Sequence, residues 1–143
     1  MGELEALASA FIKHQRSARS ELAFKKHLKK VKDVEELRKL ANQYTPHVEV
    51  SIPLNERILE LNPSDVEALV ALGFLFWLDG EDDKAWQQIK QAKSLNAEHV
   101  GALTLEAALT TDRNAQVMLY ESVLERDPNN RVAQENLKEL GTP

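Results

Sequence analysis

The hydrophobic positions recur at helical spacing along most of the chain. Leu69, Leu72, Gly73 and Phe76 fall at i, i+3, i+4 and i+7, which is one face of an α-helix, and Ala85, Ile89 and Ala92 form a second such stripe. Asp79-Gly80 marks a turn between the two stripes, and Glu81, Asp82 and Asp83 place negative charge at the positive end of the helix that follows. The first of these helices departs from an ordinary surface helix. No polar side chain occurs from Ala68 to Leu78, so a second stripe of Val70, Phe74 and Trp77 stands about 100° from the first and must also be covered.

Three boundary phrases punctuate the pattern: ELNPSD at Glu60 to Asp65, SLNAEH at Ser94 to His99, and ERDPNN at Glu125 to Asn130. Proline cannot continue a preceding helix, while Ser64, Asp65, Asn129 or Asn130 can accept hydrogen bonds from the open N–H groups of the next. Asn62 and Asn96 are 34 positions apart, so the chain reads as a series of helical hairpins of nearly fixed length.

At this point the sequence resembles the tetratricopeptide repeat family. Its pattern of a large residue, Leu-Gly, an aromatic, Ala, a bulky residue and Pro is met by Leu69, Leu72-Gly73, Phe76, Ala85 and Ile89, with Ala97 where Pro is usual. The next unit keeps Leu103, Ala107, Tyr120, Val123 and Pro128, but Glu106 takes the Leu position and the turn is about three residues short. Upstream, Leu37, Leu40-Ala41 and Tyr44 repeat the spacing, as do Leu4, Leu7-Ala8 and Phe11. Pro46 and Pro53 predict an irregular helix after Tyr44. The expected organisation is a basic helical segment over 1–33 that is itself a degenerate repeat, a degenerate repeat over 34–65, repeats over 66–99 and 100–130, and a capping helix with tail over 131–143. Ala133, Leu137 and Leu140 give that last helix one apolar side and leave the other for water.

The fold class expected is all-α, a short right-handed superhelical stack of antiparallel helix pairs. The resemblance further implies a non-catalytic scaffold in which the first helices of successive repeats line a groove for a partner's peptide or helix. Glu67, Val70, Phe74 and Trp77 of one repeat, with Thr104 and Ala108 of the next, are the groove-facing positions. Gly101, Thr104, Ala108 and Thr111 are all small, so the large apolar shelf stands beside room for an insertion. The co-chaperone clamp for a peptide carboxylate is not matched: its positions hold mainly Val70, Ala71, Phe74, Gly101 and Leu105, and only Arg38 and Asn42 resemble it. The alternative is an assembly or oligomerisation domain whose groove is filled by its own amino-terminal helices.

Composition narrows the chemistry. At 143 residues and 43% hydrophobic, with five Gly and five Pro, the chain is an ordered domain able to bury its own core. It has no Cys, which removes thiol catalysis and cysteine-ligated zinc. His14, His27, His47 and His99 show no metal-ligand spacing, no phosphate loop or nucleophile elbow occurs, and the acidic cluster at 79–83 has Gly80 in the wrong place for a calcium loop and no closing glutamate. No cofactor, metal or catalytic residue is expected. MGELEALASAF carries acids where a secretory leader carries Lys or Arg, and Ala6 stands where myristoylation wants Ser or Thr, so a cytoplasmic location is expected.

Charge is unevenly divided. The net charge of −5 is the sum of +4 over residues 1–44 and −9 over 45–143. The lysine run FKKHLKKVK at Phe24 to Lys32 suits an anionic partner or a plain solvated face over buried Phe24, Leu28 and Val31. Without an aromatic stacking set nucleic acid is disfavoured, and nothing in the sequence singles out a membrane; a partner protein or self-association is expected. The basic, apolar-striped amino-terminal stretch is expected to dock on the acidic remainder, in its own chain or in a neighbouring copy.

Overall fold

The computed structural model describes residues 2–14 and 17–141; Met1, Gln15, Arg16, Thr142 and Pro143 lie outside the described residues. Among the described residues there are nine helices and no strand, so the expected all-α class is correct. The chain divides into two compact units, Met1–Ala68 and Leu69–Pro143.

The first unit holds α1 (Glu3–Lys13), α2 (Ala18–Leu28), α3 (Val34–Gln43) and α4 (Val48–Leu61). Ser17 caps α2 by accepting from Ser20 N–H, and Asp33 caps α3 by accepting from Glu35 and Glu36 N–H. α1 packs on α2 and α3 on α4. Their shared core contains Leu4, Ala8 and Phe11 of α1, Phe24 and Leu28 of α2, Leu37 and Leu40 of α3, and Val50, Leu54 and Ile58 of α4. The Phe11 and Phe24 rings stack at 6.1 Å.

α4 is the first difference from expectation, because it is a continuous 14-residue helix with Pro53 inside it. Proline removes one helical N–H and crowds the carbonyl four residues back, at a cost of about 3 kcal/mol. Burial of Val50, Leu54 and Ile58 offsets that cost. Two buried polar side chains add hydrogen bonds: Ser51 Oγ donates to Ala41 O across to α3 at 3.0 Å, and Asn55 Nδ2 donates to Ser51 O at 3.0 Å. Pro46 sits in the turn between α3 and α4, where its missing N–H costs little.

The second unit is built from α5 (Val66–Leu78, which crosses the division), α6 (Asp82–Leu95), α7 (Val100–Leu109), α8 (Arg113–Arg126) and α9 (Arg131–Glu139). α6, α7, α8 and α9 pack in chain order. Leu103, Ala107, Tyr120, Val123, Ala133 and Leu137 form the core of α7 to α9. Arg113 at the start of α8 donates through Nε to Leu140 O at 3.0 Å, which ties down the end of α9.

The boundary phrases act alike. Asn62, Asn96 and Asp127 each end a 14-residue helix by leaving the helical region, at φ −142°, −149° and −136°, the first two in extended backbone. Asp65 then accepts from Ala68 N–H and Asn130 from Ala133 N–H, as the sequence suggested for these two positions. His99, not anticipated as a cap, does the same for Ala102 N–H through Nδ1 at 3.3 Å.

The shortfall in the second hairpin falls on a helix and not on a turn. α5 has 13 residues and α7 has 10, while three residues follow each before the next helix begins. α7 ends early because Thr110 is extended, with its hydroxyl returned to Glu106 O at 2.6 Å, and Asp112 caps α8 by accepting from Ala115 N–H at 2.9 Å. Glu106, which departs from the repeat pattern, is an ion-pair partner for Lys93 of α6 at 2.5 Å.

Candidate functional site

α5 ends in a turn that its sequence encodes. Gly80 takes φ +76°, its N–H bonds Trp77 O at 3.1 Å, and Glu81 N–H bonds Phe76 O at 2.8 Å. This double closure requires a left-handed residue, which glycine supplies without strain. The chain therefore reverses sharply after Leu78 and leaves the last turn of α5 at the surface.

The contacts of α5 answer what covers a helix with no polar side. Ala68, Leu69, Val70, Leu72 and Leu75 are all buried. Gly73 is the tightest of the described glycines: a Cβ there would lie 2.8 Å from Leu105 Cδ2 and 3.1 Å from Ile89 Cδ1. A side chain at this position would push the ends of Leu105 and Ile89 aside. A Cβ on Gly101 would lie 3.0 Å from Val70 Cγ1, so α5 and α7 run side by side with Val70 at Gly101 and Gly73 at Leu105.

The residues predicted for the groove are placed unequally. Val70 is 6% exposed and packs toward Gly101, so it supports the surface without being open to a partner. Phe74 is half-buried and Trp77 is 39% exposed, and their rings meet edge to face at 6.4 Å. Glu67 is exposed in the first turn of α5. On α7, Thr104 and Ala108 are half-buried, and the Thr104 hydroxyl is taken by Val100 O at 2.8 Å. Two residues escaped the sequence reading. Leu78 is 63% exposed and extends the Val70–Phe74 stripe by one more i+4 step, a spacing the sequence already contained. Leu75 is buried although it lies in neither stripe. Phe76, on the other side of Trp77, lies under the Lys84 ammonium at 5.6 Å.

Arg38 and Asn42 offer no free carboxylate clamp as a pair, because Arg38 donates to Asp65 at 2.5 Å. The acidic turn at 79–83 is exposed, and Glu81 there pairs with Lys84 at 3.2 Å. Among the described residues no three His, Cys, Asp or Glu side chains group as a metal site would require. Tyr120 has its phenol pKa raised by burial, with a smaller contribution from Glu139, and belongs to the α7–α9 core. No helix among the described residues is long and apolar enough to cross a membrane.

Solved structures similar to this chain include two with matching helical architecture. The first TPR domain of Spaghetti (RPAP3), bound to the HSP90 peptide SRMEEVD, superposes with a TM-score of 0.66 at 19% identity, over 75% of this chain and 89% of its own. The fold is that of a tetratricopeptide-repeat domain. A point mutant of MamA matches at 20% identity with a TM-score of 0.55, over 98% of this chain and 96% of its own. No protein-family model and no curated protein sequence matches the chain.

Proposed function

We propose that this protein is a non-catalytic interaction module that holds an apolar peptide or helix of a partner protein against α5 and α7. The observation that carries the reading is the open Phe74–Trp77 ring pair beside a neighbouring helix whose matching positions are small. Val70 at Gly101 and Gly73 at Leu105 set the register of the two helices, which supports reading Trp77 and Ala108 as parts of one surface. A large side chain from the partner then fits over Thr104 and Ala108 with the aromatic pair as its wall. Aromatic anchors of this kind concentrate binding energy.

The Spaghetti domain was solved with an acidic peptide, SRMEEVD. This chain is suited to a different ligand. Arg38 is engaged by Asp65, and the α5–α7 surface has apolar and small residues where a carboxylate clamp needs cations. The partner segment is therefore apolar, with a large side chain as its anchor.

Selection of displayed random peptides on the folded chain tests this. The expected consensus contains large apolar residues and no obligatory terminal carboxylate, and binding of the selected peptides falls in Phe74→Ala and Trp77→Ala while both variants stay folded. Acidic carboxy-terminal peptides that bind both variants as well as the wild type would overturn it.

A further inference from the structure

The lysine run lies on α2 and the turn after it, and its environment separates it from an ordinary solvated face. At 100° per residue, Arg19, Lys25 and Lys26 fall within about 60° of Leu22, on the side of the helix opposite buried Phe24 and Leu28, and Lys29 and Lys30 follow at the C-cap and in the turn after it. All five cations are exposed. Leu22 stands at their centre and is 69% exposed, more than any other large apolar side chain described. Among the acids near the patch, Glu21 holds Lys25 at 2.7 Å, Glu60 holds Arg57 at 2.9 Å, and Glu56, itself engaged, lies on the surface shared with Lys25 and Lys29. Arg19, Lys26, Lys29 and Lys30 have no carboxylate partner among the described residues. Beside Arg19 the α1–α2 junction opens into a shallow depression of about 770 Å³, whose rim includes Lys13, His14, Ser17 and Ser20.

We propose that this face of α2 docks on an anionic lipid bilayer, with Leu22 entering the interface and the surrounding cations meeting the headgroups. The charge complementarity is local, since the whole chain is acidic at −5. A single protruding leucine within a ring of lysines suits a broad, fluid, negatively charged surface, because each lysine is a hydrated point charge on a flexible stem that needs no fixed counterpart. An acidic polypeptide would draw on the same charge but needs an apolar residue placed opposite Leu22, whereas a bilayer offers apolar surface at every point. The depression adjoins the same face and adds the Lys13 and Arg19 cations and the Ser17 and Ser20 hydroxyls to it. Peripheral attachment of this kind requires no membrane-crossing helix. It also leaves the α5–α7 surface with its own task.

The test is sedimentation of the full chain with phosphatidylcholine vesicles, alone or with about 30% phosphatidylserine, at low and physiological salt. Binding is expected on the anionic vesicles only, and it weakens as salt rises. Replacing Lys26, Lys29 and Lys30 together by Gln lowers the partition coefficient about a hundred-fold, at roughly five-fold per cation, and Leu22→Ser lowers it about ten-fold. All four positions are exposed, so both variants melt as the wild type does. The proposal is overturned if the wild type stays in the supernatant with anionic vesicles, if it binds neutral vesicles equally, or if either variant binds unchanged. Retention on polyglutamate that depends on the same lysines, without vesicle binding, would assign the face to an acidic polypeptide instead.

Discussion

α5 and α7 start from equivalent boundary phrases and lie side by side, yet they are built in opposite ways. α5 is 13 residues long and carries Phe74, Trp77 and Leu78 to its last turn, whereas α7 is 10 residues long and presents Gly101, Thr104 and Ala108. Each contributes one glycine to the contact, Gly73 toward α6 and α7 and Gly101 toward α5. The difference teaches that the repeat pattern governs what is packed, while freedom left by the pattern shapes the surface. Leu69 and Leu103 fill equivalent buried positions on the two helices, while Phe74 of α5 and Ala108 of α7, equivalent positions that differ widely in size, are both left half-buried.

The largest effect is expected from removing the joint between the two helices. Leu105 is fully buried against the Gly73 position, and Leu105→Ala should cost about 2–5 kcal/mol of unfolding free energy in denaturant titrations. Filling the joint is the next test. Gly73→Ala would force a Cβ to 2.8 Å from Leu105 and 3.1 Å from Ile89, for a loss of about 1–3 kcal/mol despite the better helix propensity of alanine. The matching change on α7, Gly101→Ala, meets Val70 Cγ1 at 3.0 Å and the rotatable ring of the capping His99 at 3.1 Å, at the start of its helix. Its propensity gain of about 1 kcal/mol offsets much of the strain, so a change within about 1 kcal/mol is expected. If Gly101→Ala proved the more damaging of the two, the assignment of Gly73 as the tighter of the two glycines would fail.

A smaller effect sharpens the comparison further. Glu106 stands where α5 has Leu72, but its pairing with Lys93 is partly exposed, and pairs of this kind contribute only about 0–1 kcal/mol. Glu106→Gln should therefore shift the melting transition by little. A large loss would mean that α6 and α7 depend on this pair more than on Ile89, Ala92 and Leu105.

Much of this arrangement was legible in the residues. The stripe of Leu69, Leu72 and Gly73, the Asp79-Gly80 turn and the caps Asp65 and Asn130 follow from helical spacing and from the chemistry of glycine, aspartate and asparagine. α4 was not, because Pro53 breaks a local rule that only tertiary burial of Val50, Leu54 and Ile58 overrides. Nor was the early end of α7, because it depends on the Thr110 hydroxyl and the Asp112 cap acting within three residues. The candidate site was visible as a second apolar stripe, but a stripe does not say how its members divide. Val70 is buried by Gly101, while Trp77 and Leu78 emerge only because the Gly80 turn ends the helix there. Leu22 was hidden for a related reason, since the regular burial of Phe24 and Leu28 draws attention away from the apolar residue on the opposite face.

The central claim is that α5 ends in a partner-binding shelf and not in core, and the most direct measurement pairs stability with affinity for Trp77→Ala. A displayed-peptide ligand selected on the wild type is titrated against both proteins, and both are unfolded in denaturant. A shelf predicts a stability loss below about 1.5 kcal/mol together with an affinity loss of about 30-fold or more. The contrary result is a stability loss of about 3–5 kcal/mol, the value for a core aromatic, with peptide affinity unchanged in the fraction that remains folded.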